Sequence, residues 1–130
     1  MSYQDLGKVI SLKAGDTLAS NIVVYLSAAN TVAIAITDTS YPIGVTVDYA
    51  DSGASVGVVV GGIARCKVAA SITAGEMVCV ATDSAGFIRS IAPNTYTSAI
   101  PVLGIALETA STSGDIIPVL IQPQYAVKRN

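Results

Sequence analysis

Apolar and polar residues alternate along this chain with a period of two, the signature of half-buried strands. "TVAIAIT" (31–37) and "IARCKVA" (63–69) are clear cases. β-Branched residues and alanines carry the pattern, and Gly, Asn, Asp and Ser punctuate it at short intervals. Strands are expected near 7–13, 21–27, 31–37, 42–48, 55–61, 63–69, 76–82, 86–91, 101–108 and 115–121. Hairpin turns fit "SAAN" (27–30), "DSG" (51–53), "TDSAG" (82–86) and "STSG" (111–114). No window of ten or more residues shows a 3.6-residue apolar stripe; "TYTSA" (95–99) or "DYADS" (48–52) makes one helical turn at most. The expected fold is all-β: a compact sandwich or barrel-like domain with little or no helix.

One stretch breaks the alternation. In "SVGVVVGGI" (55–63), Val58, Val59 and Val60 follow one another without a polar residue between them. Such a strand is buried on both faces, or it is an edge that a partner covers. Left bare it is an aggregation hazard. Val58, Val59 and Val60 are therefore expected at a subunit interface, with a buried core strand as an equal alternative.

The chain also repeats itself. "SLKAGDTL" (11–18) and "SITAGEMV" (71–78) share Ser, aliphatic, Ala, Gly and an acid in one order, with Gly15 and Gly75 separated by 60 positions. Gly44 in "YPIGVTV" and Gly104 in "PVLGIAL" keep the same separation. Residues 11–62 and 71–122 therefore read as diverged copies within a single domain of 1–130, as pseudo-repeated β lobes. Gly15 and Gly75 are expected at positive φ in matching turns, and Asp16 and Glu76 are expected to brace those turns through backbone N–H groups. Gly44 and Gly104 lie inside strand patterns, which points to a bulge or the close approach of another backbone.

Composition narrows the function. Only 12% of residues are charged and 52% are hydrophobic, against about 25% charged in ordinary globular domains. So little solvated surface argues against disorder and for partial cover by a partner. The formal charge is −2, and no cluster of Lys or Arg exists to displace counterions from a phosphate backbone. Lys128 and Arg129 alone make no basic patch. The start "MSYQDLGKVISL" does not read as a signal peptide. Residues 17–37 are uncharged and long enough to span a bilayer, but Asn21, Ser27, Asn30 and Thr31 interrupt them, so two strands and a turn are expected and no membrane partner.

A search for chemistry returns little. Cys66 and Cys79 lack metal-site spacing, and the chain has no histidine to complete a zinc set or a Ser–His pair. Cys66 is in phase with Ala64 and Val68, so it points inward, and Cys79 lies in the apolar "MVCVA". Both read as buried small hydrophobes, with a cross-strand disulfide as the alternative; reduced thiols and cytosolic synthesis are the simplest reading. Asp48 and Asp51 flank "YA" without the alternating acids of a calcium loop. "GVVVGG" is not a phosphate-binding loop, and neither Lys13 nor Lys67 lies at a hairpin tip like the modified lysine of a lipoyl-type carrier. No catalytic, cofactor or metal residue is assigned, and an enzyme is not expected.

The stretches "YPIGVTVDYADSGASVGVVVGGIARCKV", "ITAGEMVCVATDSAGFIRSI" and "PVLGIALETASTSGDIIPVLIQP" are similar to the small bacteriophage capsid cement, or head decoration, proteins. The shared grammar is a set of Gly-centred turns and strands covering roughly residues 40–123. The resemblance implies a β-rich module, usually a homotrimer, docked on the exterior of the virion capsid. It would bridge neighbouring capsomers of the major capsid protein against internal pressure, after synthesis in the host cytoplasm. Under this reading residues 1–10 form an arm with Tyr3 and Leu6 as anchors, with a frayed terminus or an ordinary first strand as an equal alternative, and 123–130 form a C-terminal tail, either a second arm or disordered. The alternative is a non-catalytic binding module of a virion appendage or cell surface, using Tyr41, Tyr49 and Tyr96 against a carbohydrate or protein ligand.

Overall fold

The computed structural model describes residues 8–37, 41–91 and 100–126, with side chains described as far as residue 122. It is all-β, and no helix occurs among the described residues. Nine strands follow in chain order: β1 (Lys8–Ala14), β2 (Val23–Ala28), β3 (Thr31–Ile34), β4 (Pro42–Thr46), β5 (Ser55–Lys67), β6 (Met77–Val80), β7 (Ile88–Ser90), β8 (Ile100–Ala106) and β9 (Ile116–Ala126). They lie in one sheet in the order β1-β3-β2-β4-β5-β9-β8-β6-β7.

That sheet curls into two rings that share β5. In the first, β1 pairs with β3 on one side and with β5 on the other, which closes a five-stranded barrel. In the second, β9, β8, β6 and β7 continue from β5, and a single parallel bridge from Val68 to Ile88 brings the end of β5 back to β7. Ala69 seals that contact by donating its N–H to the Ile88 carbonyl at 2.8 Å.

The sharing strand corrects one sequence expectation. The pattern of residues 55–61 and 63–69 predicts two strands, yet β5 runs unbroken for 13 residues. Gly62 takes φ +81, which bends the chain without ending it. The register against β1 slips between Lys8 and Val9, next to this bend. Up to there β5 serves the first ring; from Gly62 onward it pairs with β9.

β9 gives a second correction. It does not stop near 121 and leave a tail from 123; Gln124, Tyr125 and Ala126 pair with Val102, Pro101 and Ile100. Pro123 has no N–H to donate, and the register shifts between Val102 and Gly104 at this point. The missing donor thus falls in a bulge, where a ladder bond is already lost. Tyr3, Leu6 and the rest of 1–7 lie outside the described residues, as do 127–130 and all of "TYTSA"; "DYADS" is turn and bridge, not helix.

Two large clusters fill the rings, beside a small third one of Cys79, Ile91, Ile100 and Val102. Ala14, Leu18, Val24, Val32, Val56 and Val58 belong to the interior of the first. The larger cluster joins the second ring's Cys66, Val68, Val78, Ile88 and Val119 to Val23, Val45 and Val59 of the first. Each fully buried valine contributes about 1.5–3 kcal/mol, so the seam between the rings is as apolar as either interior. Gly86, on the β6–β7 loop, ties the seam by donating to the Ala35 carbonyl at 2.9 Å and accepting from Val23 N–H at 3.0 Å.

The rings repeat one hydrogen-bond plan. Leu18 and Ala50 exchange two bonds of 2.8 Å; Ile72 and Ala110 exchange bonds of 2.9 and 2.8 Å. Asn21 N–H meets the Thr46 carbonyl, and Gly75 N–H meets that of Ala106. Ala35 N–H meets Val23, and Ile91 N–H meets Met77. Gly53 N–H meets Ala14, and Gly114 N–H meets Val68. The offset is thus 54 residues early in each copy (Leu18 to Ile72), 60 later (Ala50 to Ala110) and 61 from the next loop onward (Gly53 to Gly114).

This displaces the expected match of "SLKAGDTL" with "SITAGEMV". The counterpart of Gly75 (φ +95) is Asn21 (φ +61), while Gly15 does not take positive φ. A Cβ on Gly15 would sit 3.1 Å from both Thr31 Cγ2 and the Val32 carbonyl, so crowding is what limits that site. Gly44 and Gly104 are true counterparts, paired with Val24 and Val78.

Candidate interaction surfaces

Gly44 and Gly104 bring backbones together. A Cβ on Gly44 would strike the Val59 carbonyl oxygen, and one on Gly104 the Leu120 carbonyl oxygen. Each glycine therefore lets β4 or β8 press against its neighbour at the point where the sheet curls.

Asp16 and Glu76 act differently. Glu76 Oε1 accepts the Thr73 N–H at 2.7 Å while Glu76 N–H donates to the Thr73 carbonyl at 3.1 Å, closing a turn on itself. Asp115 repeats this with Thr112, at 3.2 Å through Oδ2 and 3.1 Å through the backbone. "TAGE" and "TSGD" share this T-x-G-acid form, which the reading of the sequence did not single out. Asp16 instead reaches across to Ile34 N–H at 3.4 Å.

The three valines divide. Val58 is fully buried inside the first ring, Val59 is buried at the seam, and Val60 is partly buried against the first ring's core. β1 and β4 flank this half of β5. Val58 and Val59 thus have no surface left for a subunit contact: the chain itself covers them.

The polar and reactive groups lie apart. Cys66 and Cys79 are both buried, in separate clusters, and form no disulfide with each other; burial pushes the Cys66 thiol well above its ordinary pKa. Among the described residues, no three His, Cys, Asp or Glu side chains group as a metal site. No helix among them is long and apolar enough to cross a membrane. Tyr49 is 62% exposed and donates its hydroxyl to Asp51 Oδ1 at 2.9 Å, and that bond raises its pKa above the ordinary tyrosine value. Tyr41 is also exposed, and Tyr96 lies outside the described residues.

The surface is instead marked by aliphatic side chains. Val9 and Val47 are 50% and 42% exposed on either side of Gly57. They border a groove of about 210 Å³, lined also by Val59, Ile63, Ala64 and Arg65. Met77, Leu107 and Ile116 are exposed on the second ring. The sequence singles out none of these residues, because the exposure of an aliphatic side chain depends on which strands come to lie beside it.

Both rings thus carry exposed aliphatic side chains: Val9 and Val47 on the first, Met77, Leu107 and Ile116 on the second. The family model for phage cement proteins matches residues 4–121, and the chain belongs to that family. It is, accordingly, a capsid-associated structural protein of a bacteriophage. The fold is shared with the crystal structure of the N base of the head fiber gp8.5 of bacteriophage phi29, at TM-score 0.64 and 16% identity, over 88% of this chain and 93% of that one. No curated protein matches the sequence.

Proposed function

We propose that this protein decorates the outer surface of a phage capsid, bridging neighbouring units of the major capsid protein as a homotrimer. The family match over residues 4–121 carries the reading. The chain's character supports it: 12% charged residues, aliphatic groups spread over two rigid rings, and turns closed by their own side chains. A rigid module with many modest contacts gains hold through multivalency, because linked copies rebind before all have let go. Tyr3 and Leu6 are proposed anchors of an N-terminal arm, and the module is proposed to act without cofactor or catalysis. Purified protein mixed at micromolar concentration with expanded shells lacking it should co-sediment with them. Failure to co-sediment removes the reading.

A further inference from the structure

The repeat places one row of side chains in two environments. In the first ring Val9, Val59, Val45 and Val23 stand directly opposite one another on β1, β5, β4 and β2. Their ring-two counterparts are Ile63, Leu120, Ile105 and Met77 on β5, β9, β8 and β6. Directly opposed residues share a face, so each row is an aliphatic stripe across four strands.

The first stripe is covered. Exposure falls from 50% at Val9 to 6% at Val59 and 0% at Val45 and Val23, because the second ring packs on it through a cluster that includes Leu103 and Ile121. The second stripe is open. Ile63, Leu120 and Ile105 are partly exposed and Met77 is 38% exposed. Its far end runs through Ile63 into the groove beside Val9.

Two second-ring residues of that cluster have counterparts too. Leu103, one before Gly104, corresponds to Ile43, one before Gly44. Ile121, one after Leu120, corresponds to Val60, one after Val59. Ile43 and Val60 are aliphatic and partly exposed. One chain thus carries both halves of its internal seam a second time, each without its mate.

We infer that the open stripe Ile63–Leu120–Ile105–Met77 of one copy receives Ile43 and Val60, at the edge of the first ring's core, of a second copy, repeating between chains the contact made between rings. The inference rests on the self-association in the proposed function and adds where the copies meet. The contact is heterologous, joining two different surfaces, so growth stops only when the copies close into a ring. It is also looser than the internal seam. Within the chain, Gly86 seats against Ile22 and Ile34; the ring-two positions matching these are Glu76 and Ser90, which offer no apolar socket. Assembly should therefore be reversible and depend on concentration.

Light scattering across a range of concentrations tests this. The wild-type chain should rise from 13.2 kDa to a closed multiple of it. Met77→Glu should stay monomeric with an unchanged circular dichroism spectrum, and so should Ile43→Glu. Mixed together, the two variants should form a dimer, because each keeps the half that the other has lost. As a second measurement, Met77→Cys combined with Ile43→Cys should give disulfide-linked chains, whereas Met77→Cys alone should not. A wild-type chain that is monomeric throughout removes self-association and this inference with it. A wild-type multimer that Met77→Glu leaves intact, or crosslinking by Met77→Cys alone, overturns only the assigned surface. Shell co-sedimentation is read separately from both.

Discussion

Glycine serves two purposes in this chain, and a single methyl group separates them. At Gly104 the difficulty is space: a Cβ would strike the Leu120 carbonyl oxygen, with the backbone of Gln122 3.1 Å away. Neither neighbour is a flexible side chain, so the strands must part. At Gly75 space is free, with nothing within 4 Å of a Cβ, and the difficulty is φ +95. Gly104→Ala should cost about 3 kcal/mol, at the upper end of ordinary overpacking. Gly75→Ala should cost about 1–2 kcal/mol, the penalty of a left-handed residue bearing a Cβ. Gly75→Asn should recover most of that loss, because Asn tolerates this region and Asn21 already holds the equivalent position at φ +61. Urea midpoints would rank the three variants; if Gly75→Ala proves the most damaging, crowding at Gly104 has been overestimated.

At the scale of elements, one hydroxyl holds a strand to the chain that precedes its partner. Thr46, at the end of β4, is 2% exposed. Its Oγ1 accepts the Ile22 N–H at 3.0 Å and donates to the Ala19 carbonyl at 2.7 Å. Its ring-two counterpart is Ala106, so the second ring does without this clasp. Thr46→Val keeps the shape but leaves two backbone groups short of a partner, at about 1–3 kcal/mol for a buried group left unsatisfied. Amide exchange should quicken first at Ile22; an unchanged rate there would show that water replaces the hydroxyl. Strand periodicity was legible because its cause is local: alternating apolar residues mark a half-buried face wherever they occur. Gly61 and Gly62 misled, because whether a glycine ends a strand or bends it depends on partners far along the chain. Pro123 misled for a similar reason, since only the bulge opposite Val102 and Gly104 makes it tolerable. The repeat was visible at Gly44 and Gly104, where close approach demands glycine in both copies. It was misaligned at Gly15, where "KAGD" resembles "TAGE" by composition and the true counterpart of Gly75 is an asparagine. The outer contact surface was not legible, because the exposure of Met77 and the burial of Val23 at equivalent positions depend on which ring has a neighbour.

At the scale of the whole molecule, the shared strand and the shared core make two rings one cooperative unit. β5 gives its first half to the barrel and its second to the other ring, so neither ring is complete without it. The cluster around Val78 and Val119 continues to Val23 and Val45 of the first ring. Loosening the second ring therefore uncovers the first. Val78 is fully buried, and Val78→Ala should cost about 2 kcal/mol through lost burial and the cavity left behind. Were the rings independent, that loss would appear only in β6, β7, β8 and β9. Because they share a core, the slowest-exchanging amides of β2 and β4 should lose protection by the same free energy as those of β6 and β8. Native-state hydrogen exchange resolves the two cases strand by strand. Equal losses mean that the module responds to load as one body, which the proposed clamp across a capsid seam requires. Loss confined to the second ring would mean that the rings can part, and that force taken up by one would not reach the other.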